Sequence, residues 1–199
     1  YSKIKKGDIC SMRKVLQLLS VVVVGIAVAL MLISPELVLI FGSPKYREAV
    51  YVIPPVAASV FFIFIYNILS MPQFYYEKTQ FLMAASMAAA GANVVLNFIF
   101  IRLFGYIAAG YTTLACYMLY SVGHYIVSKR ILVNEGIQEN LMSPGFLVAC
   151  SAFLIGASII CNLIFPYRIL RYAILLASAG LVFWKKELLL KTMADIRKK

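Results

Sequence analysis

Thr113, Tyr117, Ser121 and His124 recur every three or four residues along one stretch of the chain, with Tyr120 beside them and Ser128 one turn further on. On a helix that spacing gathers them on one face. Hydroxyls, ring faces and an imidazole side by side are chemistry for holding sugars or a pyrophosphate. His124 is the only histidine, and its place near a helix end fits either a hydrogen-bonded structural residue or a proton-coupling group. Just upstream, Asn93 and Asn97 share a face with Ser86 and Ala90. Two amides on one side of an apolar helix are costly against lipid, so they must bond to another helix or line a wet substrate path. The same segment carries Ala84, Ala88 and Ala92 beside Gly91, a small-residue spacing that lets a second helix approach closely. Arg102 closes this segment, either as a solvated interface arginine or as a contact for pyrophosphate.

Several chemistries are missing. The chain has 8 acidic residues, and none falls inside its first five apolar segments. It has no carboxylate pair, no histidine cluster, no glycine-rich phosphate loop before a basic residue and no nucleophile elbow. General acid–base catalysis therefore has few groups to use, and the reading is of a protein that is not an enzyme, without catalytic residues, metal site or cofactor. Cys10, Cys116, Cys150 and Cys161 match no redox or zinc spacing and read as small apolar packing residues.

The elements that must position these groups are long and apolar. Of 199 residues, 63% are apolar and 14% charged. That excess over ordinary soluble composition points to a bilayer as the solvent. Charged flanks cut out six segments, near 14–34, 48–70, 80–101, 106–128, 145–165 and 169–190. Lipid leaves only helices or closed barrels, and these runs are continuously apolar where a barrel strand alternates. The fold class predicted is all-α, a single membrane domain over 1–199 made of about six transmembrane helices. The sixth is the weakest span. Arg168, Arg171, Lys185 and Lys186 must snorkel to the two interfaces, with Trp184 as an interfacial aromatic.

The net charge is +11, but it lies in short clusters between uncharged runs, so the expected partner is the membrane lipid surface and not nucleic acid. Assigning loops to alternate sides puts fourteen Lys and Arg residues on the side of both termini and five on the other, which predicts that both termini are cytoplasmic. Tyr1 is not a methionine, and the immediate basic loop suggests a piece of a longer protein.

The connections differ in kind. Ser34-Pro35-Glu36 followed by Leu37–Phe41 reads as a break and then a short capped helix at the outer interface. Pro54-Pro55 fits either a bend within the second helix or its first turn. Pro72 to Lys78 reads as a tight loop, and Phe104-Gly105-Tyr106 as a sharp turn that makes the third and fourth helices antiparallel neighbours. Ile131 to Pro144 is the longest polar stretch.

Some residues resemble a known family. Leu39-Ile-Phe-Gly-Ser-Pro-Lys-Tyr-Arg-Glu-Ala is similar to a junction in bacterial polysaccharide flippases, and Tyr66-Asn67-Ile-Leu-Ser70 with Tyr76-Glu-Lys-Thr79 to their next helix end and loop. Asn93-Val-Val-Leu-Asn97, the run through Phe104-Gly105 and Ala108-Ala-Gly-Tyr-Thr-Thr113 resemble a third motif, with Ala-Ala-Gly where the family often has Gly-Ala-Ala. The likeness covers residues 35 to 128. It implies the C-terminal lobe of a two-lobed, MATE-like transporter of the bacterial cytoplasmic membrane. Such proteins move polyprenyl-pyrophosphate-linked oligosaccharide between leaflets for polysaccharide biosynthesis. The implied partners are that substrate and the missing N-terminal lobe. Asn93, Asn97, Thr113, Tyr117, Ser121, His124 and Arg102 are the expected pathway residues. The family's cationic cavity has no counterpart here, since no Lys or Arg lies mid-membrane. A MATE-type multidrug or ion-coupled exporter is the alternative within this class. A membrane-embedded glycan enzyme or a scaffold subunit is the alternative outside it.

Overall fold

The computed structural model describes residues 9–184. All regular structure there is helical: α1 (Ile9–Phe41), a short 3₁₀ helix (Pro44–Tyr51), α2 (Ile53–Tyr75), α3 (Gln80–Phe104), α4 (Ala108–Asn134), α5 (Pro144–Ile164) and α6 (Arg168–Trp184). Four of them, α1, α2, α3 and α5, are long and apolar enough to cross a bilayer. The fourth predicted span, α4, is 27 residues long, but its run of Thr, Tyr, Ser and His makes it more polar than the other four. In α6, 17 residues are described, and Lys185 and Lys186 lie outside the described residues.

Burial explains why lipid must complete this fold. α2 is the central helix, with Phe61, Phe62, Ile65, Ile68 and Leu69 all buried. It packs most extensively on α4 and also against α1 and α5. By contrast α3 leans chiefly on α4, and none of its 25 residues is buried. Met83, Met87, Val94 and Val95 stand more than half exposed. A contiguous apolar face of that length is incompatible with water and is what a helix in hydrocarbon presents. The close approach expected at Ala84, Ala88 and Ala92 is not made among the described residues: all three are exposed, and a Cβ on Gly91 would meet nothing within 4 Å.

Two sets of contacts hold the ends of the bundle. At one end Tyr106 donates to Glu48 (2.9 Å), the Tyr51 and Phe165 rings lie 5.6 Å apart, and Arg171 pairs with Glu36 (2.9 Å). At the other, Lys78 pairs with Glu135 (3.2 Å), and Arg13 donates to the Asn140 carbonyl (2.6 and 2.9 Å). The loops gather at the two ends in the alternation on which the charge count rests. Between α3 and α4, Gly105 takes φ 78° and ψ 179°, a conformation only glycine adopts readily, and so permits the antiparallel turn.

Several expectations are corrected. The chain does not break at Ser34-Pro35-Glu36, because α1 runs on to Phe41 with Pro35 inside it. Proline cannot donate to the Met31 carbonyl. The Ser34 hydroxyl does so instead, at 2.8 Å, and the Arg171 guanidinium takes the next carbonyl, Leu32 O, at 2.8 Å. With both carbonyls satisfied the helix continues, and the short helix falls at 44–51, where Pro44 opens it. Arg171 does not snorkel. It is 2% exposed and folded onto Glu36. Pro54 and Pro55 occupy the first turn of α2, where proline costs little, and α2 extends through Pro72 to Tyr75.

Candidate polar cavity between α2, α3 and α4

Where α3 leans on α4, their small and polar side chains leave a cavity of about 450 Å³, closed on one side by Tyr66 of α2. Ser86, Asn93 and Val94 line it from α3, and Thr113, Tyr117 and Tyr120 from α4. It sits at the middle of α3, and because that helix is nearly all apolar, these groups form a polar island at mid-bundle depth.

Hydrogen bonds fix the walls. The Ser86 and Tyr120 hydroxyls lie 2.6 Å apart, tying α3 to α4 at one edge. At the other edge Thr112 donates to Asn97 Oδ1 (2.5 Å), and Asn97 Nδ2 donates to Asn93 Oδ1 (2.9 Å). Asn97 is therefore a strut that holds Asn93 at the wall and does not itself line the space. Tyr66 and Tyr117 stack nearly parallel, 5° between planes and 6.3 Å between centroids, and Tyr120 meets Tyr66 edge-on at 4.7 Å. The lining carries ring faces, an amide and hydroxyls, and no charged side chain. It can hold a neutral, hydroxyl-rich group.

The predicted stripe on α4 is thus split between two duties. Thr113 and Tyr117 face the cavity. Ser121 and His124 turn into the α2 interface, and both they and Ser128 are buried. Ser121 donates to the Phe62 carbonyl on α2 (2.9 Å), with the Tyr117 carbonyl of its own helix equally near. His124 is fully buried among the rings of Tyr66, Phe81 and Tyr120, with Gln73 Nε2 donating to its Nδ1 at 2.8 Å. That places the ring proton on Nε2, which has no hydrogen-bond partner among the described residues, as is true of Gln73 Oε1. Both atoms lie one layer behind the cavity wall. Arg102 stands apart, with its guanidinium 3.8 Å from the Phe98 ring centroid on its own helix, away from the cavity lining.

Tyr66 and Gln73 escaped the sequence reading of the site. They lie in the largely apolar run of α2, seven residues apart and hence on one face. That spacing was the available signal. Comparison with protein families, with characterised proteins and with solved structures returned no match to this chain.

Proposed function

We propose that this chain is one lobe of a flippase that carries a lipid-linked oligosaccharide across the bacterial cytoplasmic membrane, with the α2–α3–α4 cavity holding part of the glycan. The observation that carries the reading is the uncharged cavity at mid-bundle depth, walled by Tyr66, Tyr117, Asn93 and Thr113. Sugar rings present C–H faces that pack on aromatic planes and hydroxyls that bond to amides and phenols. A pyrophosphate would call for cations, and none lines this space. The packing of α3 chiefly on α4 supports the same reading, because a helix held mainly by one neighbour can shift as a second lobe rocks against it.

The test is made in the organism that produces the protein, on the gene in its own setting. Tyr117→Ala combined with Asn93→Leu should cut surface polysaccharide at least tenfold and leave lipid-linked repeats in the inner leaflet, with the amount of protein in the membrane unchanged. Export at the normal rate by a strain with no second flippase would end the proposal.

A further inference from the structure

The opposite side of α4 borders a second space of different character. α2 packs on both α4 and α5, yet α4 and α5 hardly touch each other. Between them lies a groove of about 460 Å³ floored by Ile65 and Leu69 of α2. Its walls are Val122 and Tyr125 of α4 and Val148 and Ala152 of α5. Of its few polar atoms, the Ser121 hydroxyl is already bonded to the Phe62 carbonyl. Toward the α4 N-terminus the two helices are tied by Asn162 donating to the Tyr111 hydroxyl (2.9 Å), which lies beyond the groove lining. At the other end the lining finishes at Tyr125 of α4 and at Pro144, the first residue of α5.

A charge stands at that end. Met118, Val122, Tyr125 and Lys129 follow one another at helical spacing, so Lys129 continues the groove wall one turn past Tyr125. Lys129 is exposed and has no ion pair among the described residues. The nearby acids are taken: Glu135 by Lys78 at 3.2 Å, and Glu139 by Arg13 at 3.6 Å. An apolar slot running into the bilayer under a free lysine at the interface matches an acyl chain beneath an anionic headgroup. The lining runs along α5 from Pro144 to Ile155, a length of about 17 Å at about 1.5 Å per residue.

We propose that this groove is a binding site for an anionic phospholipid, its acyl chain lying between α4 and α5 and its phosphate held by Lys129. The occupant rests between α4 and α5 and clamps a pair of helices that barely meet. The site is separate from the polar cavity and does not depend on the function assigned to it.

The experiment reconstitutes the full chain in nanodiscs of phosphatidylcholine containing one tenth phosphatidylglycerol. Either lipid carries a photoreactive group midway along one acyl chain, and adducts are mapped by peptide mass spectrometry. Phosphatidylglycerol should label Val122, Val148 and Ala152 at least fivefold above the exposed residues Met87 and Val95 of α3. Lys129→Gln should bring its labelling down to that of phosphatidylcholine, and Ala152→Phe, which fills the slot, should abolish the excess for both. Uniform labelling of all lipid-facing residues overturns the proposal. So does an excess that survives Ala152→Phe, or a phosphatidylglycerol preference untouched by Lys129→Gln. Circular dichroism of each variant separates loss of the site from loss of the fold.

Discussion

Arg171 of α6 closes on Glu36 of α1 with two parallel bonds, Nη1 to Oε2 and Nη2 to Oε1, each 2.9 Å, while Nη1 also reaches the Leu32 carbonyl at 2.8 Å. The Tyr172 hydroxyl adds a third bond to Glu36 (2.8 Å). One side chain thus neutralises a carboxylate inside an apolar helix and occupies a carbonyl in the turn that Pro35 disturbs. It is also the main attachment of α6, which otherwise meets α1 and α5 only lightly.

Removing Arg171 leaves the Glu36 carboxylate without its counterion; because that side chain is a quarter exposed and keeps its bond from Tyr172, the loss should fall below the ~3–5 kcal/mol of fully buried pairs. Arg171→Ala should still destabilise the fold, seen as a fall in the thermal midpoint in detergent, and should detach α6. Cys161, which is 3% exposed beside it, should then react with a membrane-permeant thiol reagent. Replacing both residues with leucine should cost much less than either single change. Equal losses in the single and double variants would show that the pair is not coupled.

Behind the cavity, Gln73 and His124 satisfy one another at one atom each, and each leaves one atom without a partner. Gln73→Ala removes the donor to a fully buried ring nitrogen and should cost about 1–3 kcal/mol. Pairing Gln73→Leu with His124→Phe replaces both polar groups by apolar ones of similar volume and should recover most of that loss. Denaturation of the three variants in the same detergent reads this directly. A double variant less stable than Gln73→Ala would mean that the polar pair is worth more than its hydrogen bond.

Accessibility separates the residues that line the cavity from those that only support it. In a background with all four native cysteines replaced, cysteine at Asn93, Thr113 or Tyr117 should be labelled by a small water-soluble thiol reagent. At Ser121 or His124 it should stay unlabelled, since those positions are buried between α2 and α4. Labelling is followed by mass shift on the protein in membranes. Reaction at His124 matching that at Tyr117 would place the imidazole in the cavity after all.

The helices themselves were legible because each is a long run of one chemical character, and a run of that kind has only one stable form in lipid. What periodicity could not give was the division of a helix between two neighbours. Tyr117 and Ser121 are consecutive steps of one stripe, yet one faces the cavity and the other bonds to α2. Nor could local sequence show that α1 passes through Pro35, since the group that satisfies Leu32 sits 139 residues away. Asn97 looked equivalent to Asn93 until Thr112 was seen to hold it.

The tightest approach of two helices gives the last prediction. Gly110 lies in the first turn of α4, where that helix crosses the start of α2. A Cβ there would stand 2.8 Å from Pro55 Cγ and 2.9 Å from the Val52 carbonyl. Neither obstacle can swing aside, since one is a proline ring in the first turn of α2 and the other is backbone. Gly110→Ala should thus push α4 away from α2 and cost about 1–3 kcal/mol, the usual range for overpacking. Gly91 is the matched control: a Cβ there meets nothing within 4 Å. Gly91→Ala should be neutral or stabilise α3 by up to about 1 kcal/mol through helix propensity. The pair is measured as thermal midpoints in one detergent. Because α2 and α4 also form two walls of the polar cavity, Gly110→Ala should slow thiol labelling at Tyr117 or abolish it. Gly110→Ala matching Gly91→Ala in both readouts would mean that α2 and α4 do not cross where Pro55 and Gly110 meet.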